Sequence, residues 1–272
     1  VCDMTTINRI ARKHKLYVIE DACQALGATH KGKQAGSLGT TGCFSFISPK
    51  LMGGLGDNGA IVTNSRAVYE RALLLRNHWN FVQGALHGVQ PKPPKYFSLG
   101  FNSRMDNIQA AVLNVKFRYY PWILRRRKEV CMRYHKEFQG LPIKLPLLQN
   151  GQVFQEYIIR VPNVKEFKQY MDRQGIELLI RDTTPNHKMP GLGLNFFDLP
   201  MTDAMAVSAV RLPTYPELRN DEVAAIIKAV KSFYSTTTGV WKWNKDSGKT
   251  YLKVKNAGNG KPQRQWATDR LE

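Results

Sequence analysis

The chain of 272 residues is poor in acids, with 21 Asp plus Glu against 40 Lys plus Arg and a net charge of +19. That excess attracts anions, whether nucleic acid, anionic lipid or phosphorylated small molecules, and by itself does not choose among them. Cysteine is also sparse. Cys2, Cys23, Cys43 and Cys131 lie too far apart for a disulfide framework or a metal-ligand spacing, so free thiols in a reducing, cytoplasmic compartment are expected. No run approaches the roughly 18 to 20 apolar residues of a membrane span. Residues 1–15 carry Arg9, Arg12, Lys13 and Lys15 where a secretory signal would carry an apolar block. What remains, 43% hydrophobic and 22% charged, is the composition of an ordinary globular protein.

Periodicity predicts a helix over 3–14, capped by Asp3, with Ile7, Ile10, Ala11 and His14 on one face. The run from Leu16 to Ile19, ending in Glu20 and Asp21, has the signature of a buried strand. A strand over Gly42–Ile47, a glycine-dense loop (Gly53, Gly54, Gly56, Gly59), a strand over Ala60–Thr63 and a helix over 66–76 follow. Alternating strands and helices predict an α/β layer architecture. The chain opens directly on a helix, so it reads as part of a longer polypeptide whose preceding strand is missing. Prolines and glycines predict an irregular loop over 81–100, and the helical pattern from Met105 to Phe138 is expected to break or kink near Pro121. A second α/β region follows, with a helix started by Asn163 and Glu166 and closed by Gly175, a strand over Glu177–Arg181 and a last helix from Asn220. Residues 1–120 thus read as part of a large domain and 121–234 as a smaller domain with its linking helix. Residues 235–272 read as a basic extension, with a β-hairpin around Trp241, Trp243 and a turn at 245–248.

Two residues stand where ligand-binding chemistry is usually placed. Asp21 ends a strand, the position at which α/β sheets present groups to ligands; a turn or helix-cap aspartate would look the same. Lys50, in Ser48-Pro-Lys-Leu-Met52, lies between an apolar strand and the glycine loop, although any one lysine among so many basic residues is more often a solvated charge. Arg125-Arg-Arg-Lys128 reads as a solvated helix face rather than a nucleic-acid patch.

Further motifs join these two. Glu20-Asp-Ala-Cys-Gln24, Gly36-Ser-Leu-Gly39, Phe44-Ser-Phe-Ile-Ser-Pro-Lys50, Gly56-Asp-Asn-Gly59, Arg76-Asn-His78, Gly100-Phe-Asn-Ser-Arg-Met-Asp106 and Leu212-Pro-Thr-Tyr-Pro-Glu217 occur in this order. Together they resemble the DegT/StrS family of sugar aminotransferases, from Val1 to about Tyr234. The resemblance implies a fold-type-I, aspartate-aminotransferase-like α/β architecture, with a partial large domain and a small α/β domain, and pyridoxal 5'-phosphate as cofactor. It also implies roles. Asp21 would pair with the pyridine nitrogen, Gln24 would contact the ring oxygen, Lys50 would hold the cofactor through its amine, and Ser45 would bind its phosphate. Asn102 would reach the phosphate of a neighbouring subunit, which implies a homodimer. His78, Arg181 and His187 are substrate candidates.

The departures from the family are specific. The family's earlier segment, with further phosphate ligands and a ring that stacks on the cofactor, has no counterpart here, so the expected partners include a complementing N-terminal polypeptide. Asn58-Gly59 replaces a glycine pair, and Trp79 replaces the glycine that commonly follows Arg-Asn-His. The function implied is transfer of an amino group from glutamate or glutamine to a nucleotide-linked keto-sugar, without nucleic acid or membrane as partner. A sugar dehydratase with the same cofactor is the rival within the family, and Lys50 argues against it because those relatives replace this lysine. A truncated, non-catalytic basic binding module is the rival outside it.

Overall fold

A computed structural model describes residues 1–79 and 98–236, together with the backbone of three short strands within 240–266. The predicted loop over 81–100 lies largely outside the described residues, as do the turn at 245–248 and most of the segment after Lys255. The chain divides into two compact units, one of residues 1–125 with 148–155, the other of 126–147 with 156–272.

The first unit opens with α1 (Met4–Lys13), capped by Asp3, whose Oδ1 accepts from the Thr6 N–H at 3.2 Å. Met4 and Ala11 are buried, but Ile7 and Ile10 of the expected inner face are exposed. Strand β1 (Ile19–Asp21), the short ribbon β2 (Thr29–His30) and β3 (Lys33–Gln34), β4 (Thr41–Ser45) and β5 (Gly59–Thr63) follow. In the three-stranded sheet β4 is central, parallel to β1 and antiparallel to β5. Helix α2 (Arg66–Leu75) is capped by Ser65. The run Leu16–Ile19 is not the buried strand its composition suggests. Among the described residues only Ile19–Asp21 of this stretch is extended and β1 pairs with β4 alone, and Tyr17 and Ile19 are 85% and 72% exposed. The buried member of β1 is its acid, Glu20.

Helix α3 (Asn107–Glu137) runs without a break through Pro121. Proline removes one backbone donor, but Pro121 lies on the exposed face. Buried Leu113, Tyr120 and Ile123 join Phe46, Leu51 and Met52 in the core of the first unit. Later turns of α3 contribute Val130, Cys131 and Tyr134 to the core of the second unit, joined by Phe138 just beyond the helix.

There, β6 (Tyr157–Arg160) pairs antiparallel with β7 (Ala209–Leu212). Between them lie α4 (Val164–Arg173), with Asn163 as cap and Gly175 at a positive φ just beyond its end, and the short α5 (Pro200–Ala206). The strand expected over Glu177–Arg181 is reduced to one bridge, Leu179 to Arg211. Helix α6 (Asn220–Thr236) starts with Asp221 and Glu222 in its first turn, which suits the positive end of the helix dipole. Then come β8 (Val240–Trp243), β9 (Thr250–Lys253) and β10 (Gln265–Trp266), consecutive strands of an antiparallel sheet. Part of the basic run on α3 is structural rather than solvated: Arg126 donates to the Leu218 carbonyl at 2.5 Å and to Asn220 Oδ1 at 2.9 Å. Among the described residues no helix is long and apolar enough to cross a membrane, and no group of three His, Cys, Asp or Glu could hold a metal ion.

Candidate functional site

The site is built on two neighbouring parallel strands. Asp21, the last residue of β1, is in register with Cys43 of β4, and Ser45 ends β4 two residues later. Both side chains therefore stand at carboxyl ends of adjacent strands, where α/β sheets present ligand-binding groups. Asp21 Oδ1 accepts from the Cys23 backbone N–H at 3.1 Å. The Cys23 thiol and this N–H hold the Asp21 carboxyl below the usual carboxylate range, and the Lys50 ammonium lowers it further. Burial first, and the Asp21 carboxylate second, push the Cys23 thiol up to about 11. Gln24 is exposed in the turn that follows.

Why the chain turns this way is explained by a residue the sequence reading passed over. The buried Glu20 carboxylate accepts three backbone N–H groups, from Gly36 at 2.9 Å and from Leu38 and Gly39 at 2.5 Å each. A buried carboxylate is tolerable only when so satisfied. One side chain therefore joins the Glu20-Asp21 motif to the Gly36–Gly39 motif. Gly42 then has to be glycine, since a Cβ there would lie 2.0 Å from the Gly36 carbonyl oxygen.

Lys50 is half-buried in the turn after β4, where its N–H donates to the Ile47 carbonyl at 2.9 Å. The next two residues, Leu51 and Met52, are buried at 4% and 1% exposure and root the turn in the core. Gly53 has φ +54, and a Cβ there would meet the Ser48 carbonyl oxygen at 2.6 Å. The Lys116 ammonium of α3 donates to the Gly53 carbonyl. Gln155 hydrogen bonds to the Pro49 carbonyl and the Leu51 N–H, on either side of Lys50.

The Arg76-Asn-His78 and Gly100–Asp106 motifs meet through their backbones. Asn77 bridges to Asn102, the His78 N–H donates to the Phe101 carbonyl at 3.0 Å, and the Ser103 N–H donates to the Arg76 carbonyl at 2.9 Å. This close approach requires Gly100, where a Cβ would lie 2.3 Å from the Trp79 nitrogen. Asn102 and His78 are exposed, and His78 takes a positive φ. Trp79 is a packing residue: it is buried, with the Arg71 guanidinium 5.1 Å from its ring centroid.

Arg181 and His187 belong to the second unit. Arg181 is exposed. His187 is 5% exposed, with Nε2 3.1 Å from Asp203 Oδ1, while the other oxygen of Asp203 accepts from Lys188 Nζ at 2.7 Å. Lys188 first, and His187 after it, hold the Asp203 carboxyl below its ordinary range.

Residues 1–231 match the model of the DegT/DnrJ/EryC1/StrS aminotransferase family. The chain belongs to this family. It is 35% identical over 235 residues to a dTDP-3-amino-3,6-dideoxy-alpha-D-galactopyranose transaminase of Aneurinibacillus thermoaerophilus, covering 85% of this chain and 62% of the relative. It is 36% identical over 242 residues to a pleiotropic regulatory protein of Geobacillus stearothermophilus, covering 86% of this chain and 62% of the relative. Among solved structures, S. venezuelae DesV in complex with a ketimine intermediate superimposes with a TM-score of 0.76 at 30% identity. That match covers 87% of this chain and 63% of DesV. The chain thus spans about three fifths of the length of these relatives. The family is one of pyridoxal-phosphate-dependent aminotransferases, and the architecture is part of the fold-type-I transferase fold.

The residues present fit that cofactor. An ionised carboxylate, a half-buried lysine, a hydroxyl and a carboxamide (Asp21, Lys50, Ser45 and Gln24) are supplied by two strand ends and the turns that follow them. This set can meet a ring cation, an aldehyde and a phosphate.

Proposed function

We propose that the protein carrying this chain is a pyridoxal-phosphate-dependent aminotransferase. In this reading it moves an amino group from glutamate or glutamine to a keto-sugar attached to a nucleotide. The observation that carries the reading is the placement of Asp21 and Ser45 at the carboxyl ends of neighbouring parallel strands, with Lys50 half-buried in the turn that follows the second. The names of relatives such as the dTDP-amino-sugar transaminase support the substrate class.

When bound, pyridoxal phosphate supplies an aldehyde that exchanges amines and a ring that draws electrons from the bond being broken. Asp21 accepts a hydrogen bond from the protonated ring nitrogen, and its lowered pKa keeps it an anion that can hold the proton there. Lys50 would hold the cofactor through its amine and, in each half of the reaction, its Nζ would take up and return the proton at the substrate carbon. Gln24 donates to the ring oxygen. The Ser45 hydroxyl donates to the phosphate without competing with Lys50 for the aldehyde. Asn102, exposed beside Asn77, reaches the phosphate in the site of a second copy, so the working form is a homodimer. His78, exposed in the first unit, contacts the anionic substrate, which the net charge of +19 draws in, and the exposed Arg181 is a candidate for an anionic group on the second unit. His187, buried against Asp203, orders its loop rather than meeting substrate directly.

Borohydride reduction of the cofactor-loaded protein, followed by peptide mapping, tests the assignment. The label is expected on Lys50, and Lys50→Ala is expected to lose both the label and amino transfer to a dTDP- or UDP-linked keto-sugar. Label spread over other lysines would refute the reading.

A further inference from the structure

A lysine that must release a cofactor and then move protons at a fixed carbon needs its own Cα held still. In most turns that task falls to neighbouring residues. Here a distant side chain contributes. Gln155 Oε1 accepts from the Leu51 N–H at 2.8 Å, and Gln155 Nε2 donates to the Pro49 carbonyl at 2.7 Å. The Pro49 carbonyl belongs to the peptide unit before Lys50, and the Leu51 N–H to the one after it. One planar carboxamide therefore grips both peptide units that meet at the Lys50 Cα. The pairing also fixes the orientation of the amide, since only its oxygen can accept and only its nitrogen can donate.

The grip complements the other anchors of the turn. The Lys50 N–H is bonded to the Ile47 carbonyl, Leu51 and Met52 are buried, and Lys116 holds the Gly53 carbonyl. None of these touches the Pro49 carbonyl or the Leu51 N–H. Gln155 lies in the segment 148–155, which returns to the first unit after 22 residues in the second. The Lys50 turn is thus tied to a part of the chain that its own motif does not contain.

We propose that Gln155 is a positioning residue for Lys50. By clamping Pro49 and Leu51 it sets the point from which the lysine amine swings between cofactor and proton acceptor. The proposal rests on the reading of Lys50 as the cofactor lysine, and the experiment separates the two. Two variants serve. Gln155→Met keeps length and bulk but has no hydrogen-bonding amide, whereas Gln155→Glu keeps an acceptor for Leu51 and turns a second oxygen toward the Pro49 carbonyl.

Hydrogen exchange of the Leu51 amide in the cofactor-free full chain gives a readout independent of activity. Exchange about fivefold to tenfold faster is expected in Gln155→Met, matching the loss of one ordinary hydrogen bond, with partial protection restored in Gln155→Glu. With pyridoxal phosphate added, Lys50 should remain the borohydride-labelled residue in both variants. The pH midpoint of the bound-cofactor absorbance should shift, and kcat should fall on the order of 10- to 100-fold with KM little changed.

If the wild-type protein is labelled at a lysine other than Lys50, the cofactor reading fails and the positioning role falls with it. If Lys50 is labelled but Gln155→Met leaves Leu51 exchange, the absorbance midpoint and kcat at wild-type values, the positioning role alone is overturned. A kcat loss that follows only reduced global stability, with an unshifted midpoint, overturns it equally. Should Gln155→Met fail to fold, Gln155→Glu decides by the same midpoint and kcat criteria.

Discussion

The Asp21 carboxylate and the Cys23 thiol perturb each other in opposite directions: the carboxyl is held below its usual range and the thiol is pushed up to about 11. For the thiol the raised value means that the folded state favours the protonated form. Its contribution to stability is complete below the ordinary thiol value of 9.0 and is lost as pH rises toward about 11. For Asp21 the sign is reversed, and its contribution is lost as pH falls through the acid range. Alkylation of the folded protein should therefore modify the exposed Cys2 first and Cys23 slowly until the pH nears 11, with the buried Cys131, pushed up to about 12, last. Asp21→Asn should bring the Cys23 titration down part of the way, since burial, the larger cause, remains. Mass-spectrometric alkylation rates against pH check both statements, and an unmoved Cys23 in the variant would contradict the contact.

A second prediction concerns the Glu20 carboxylate. Glu20→Gln removes the charge and turns amide hydrogens toward backbone donors, so the unfolding free energy should fall by about 2 to 3 kcal/mol. Urea denaturation measures it. A change within experimental error would show that Glu20 does not hold the Gly36–Gly39 loop.

Gly42→Ala should be at least as damaging, because its methyl group would sit 2.0 Å from the Gly36 carbonyl oxygen, where backbone rather than a mobile side chain must give way. A loss of about 3 kcal/mol or more is expected. At Gly32, where a Cβ would meet nothing within 4 Å but φ is +78, alanine should cost only the backbone strain, about 1 kcal/mol. Thermal unfolding of the pair separates crowding from strain.

These residues also show what could be read from the sequence and what could not. The strand-end position of Asp21 and the turn position of Lys50 are local facts, since a strand and its exit are encoded by contiguous residues. The roles of Glu20 and Gln155 are not local. Their partners lie 16 to 19 and 104 to 106 positions away, and no periodicity reports such pairings. The apolar run at Leu16–Ile19 misled for a related reason, because burial depends on which strands flank it, and among the described residues β1 is flanked by β4 alone. At Pro121 the expected break is absent: the proline removes one hydrogen bond and crowds the carbonyl one turn earlier, but buried side chains on both sides of it keep the helix continuous.

A fourth prediction addresses the end of the chain. The matched family region stops at 231 and α6 at Thr236. Truncation after Thr236 should leave the helical circular dichroism signal, the unfolding midpoint and the borohydride labelling of Lys50 unchanged within error. A lost label in a truncated protein that still folds would place the extension at the site.

The return of residues 148–155 to the first unit has a consequence for how the protein is made. The Thr29 N–H is bonded to the Gly151 carbonyl, and the Lys50 turn to Gln155. A growing chain therefore cannot finish its first unit when residue 125 emerges from the ribosome. It must wait until residue 155 is free, and by then the stretch 126–147 has already been released. At translation rates of about 5–20 residues per second, the turn carrying the lysine spends roughly 5 to 20 s exposed without its clamp. Order in synthesis and order in space thus diverge, and the two units are completed in an interleaved sequence rather than one after the other.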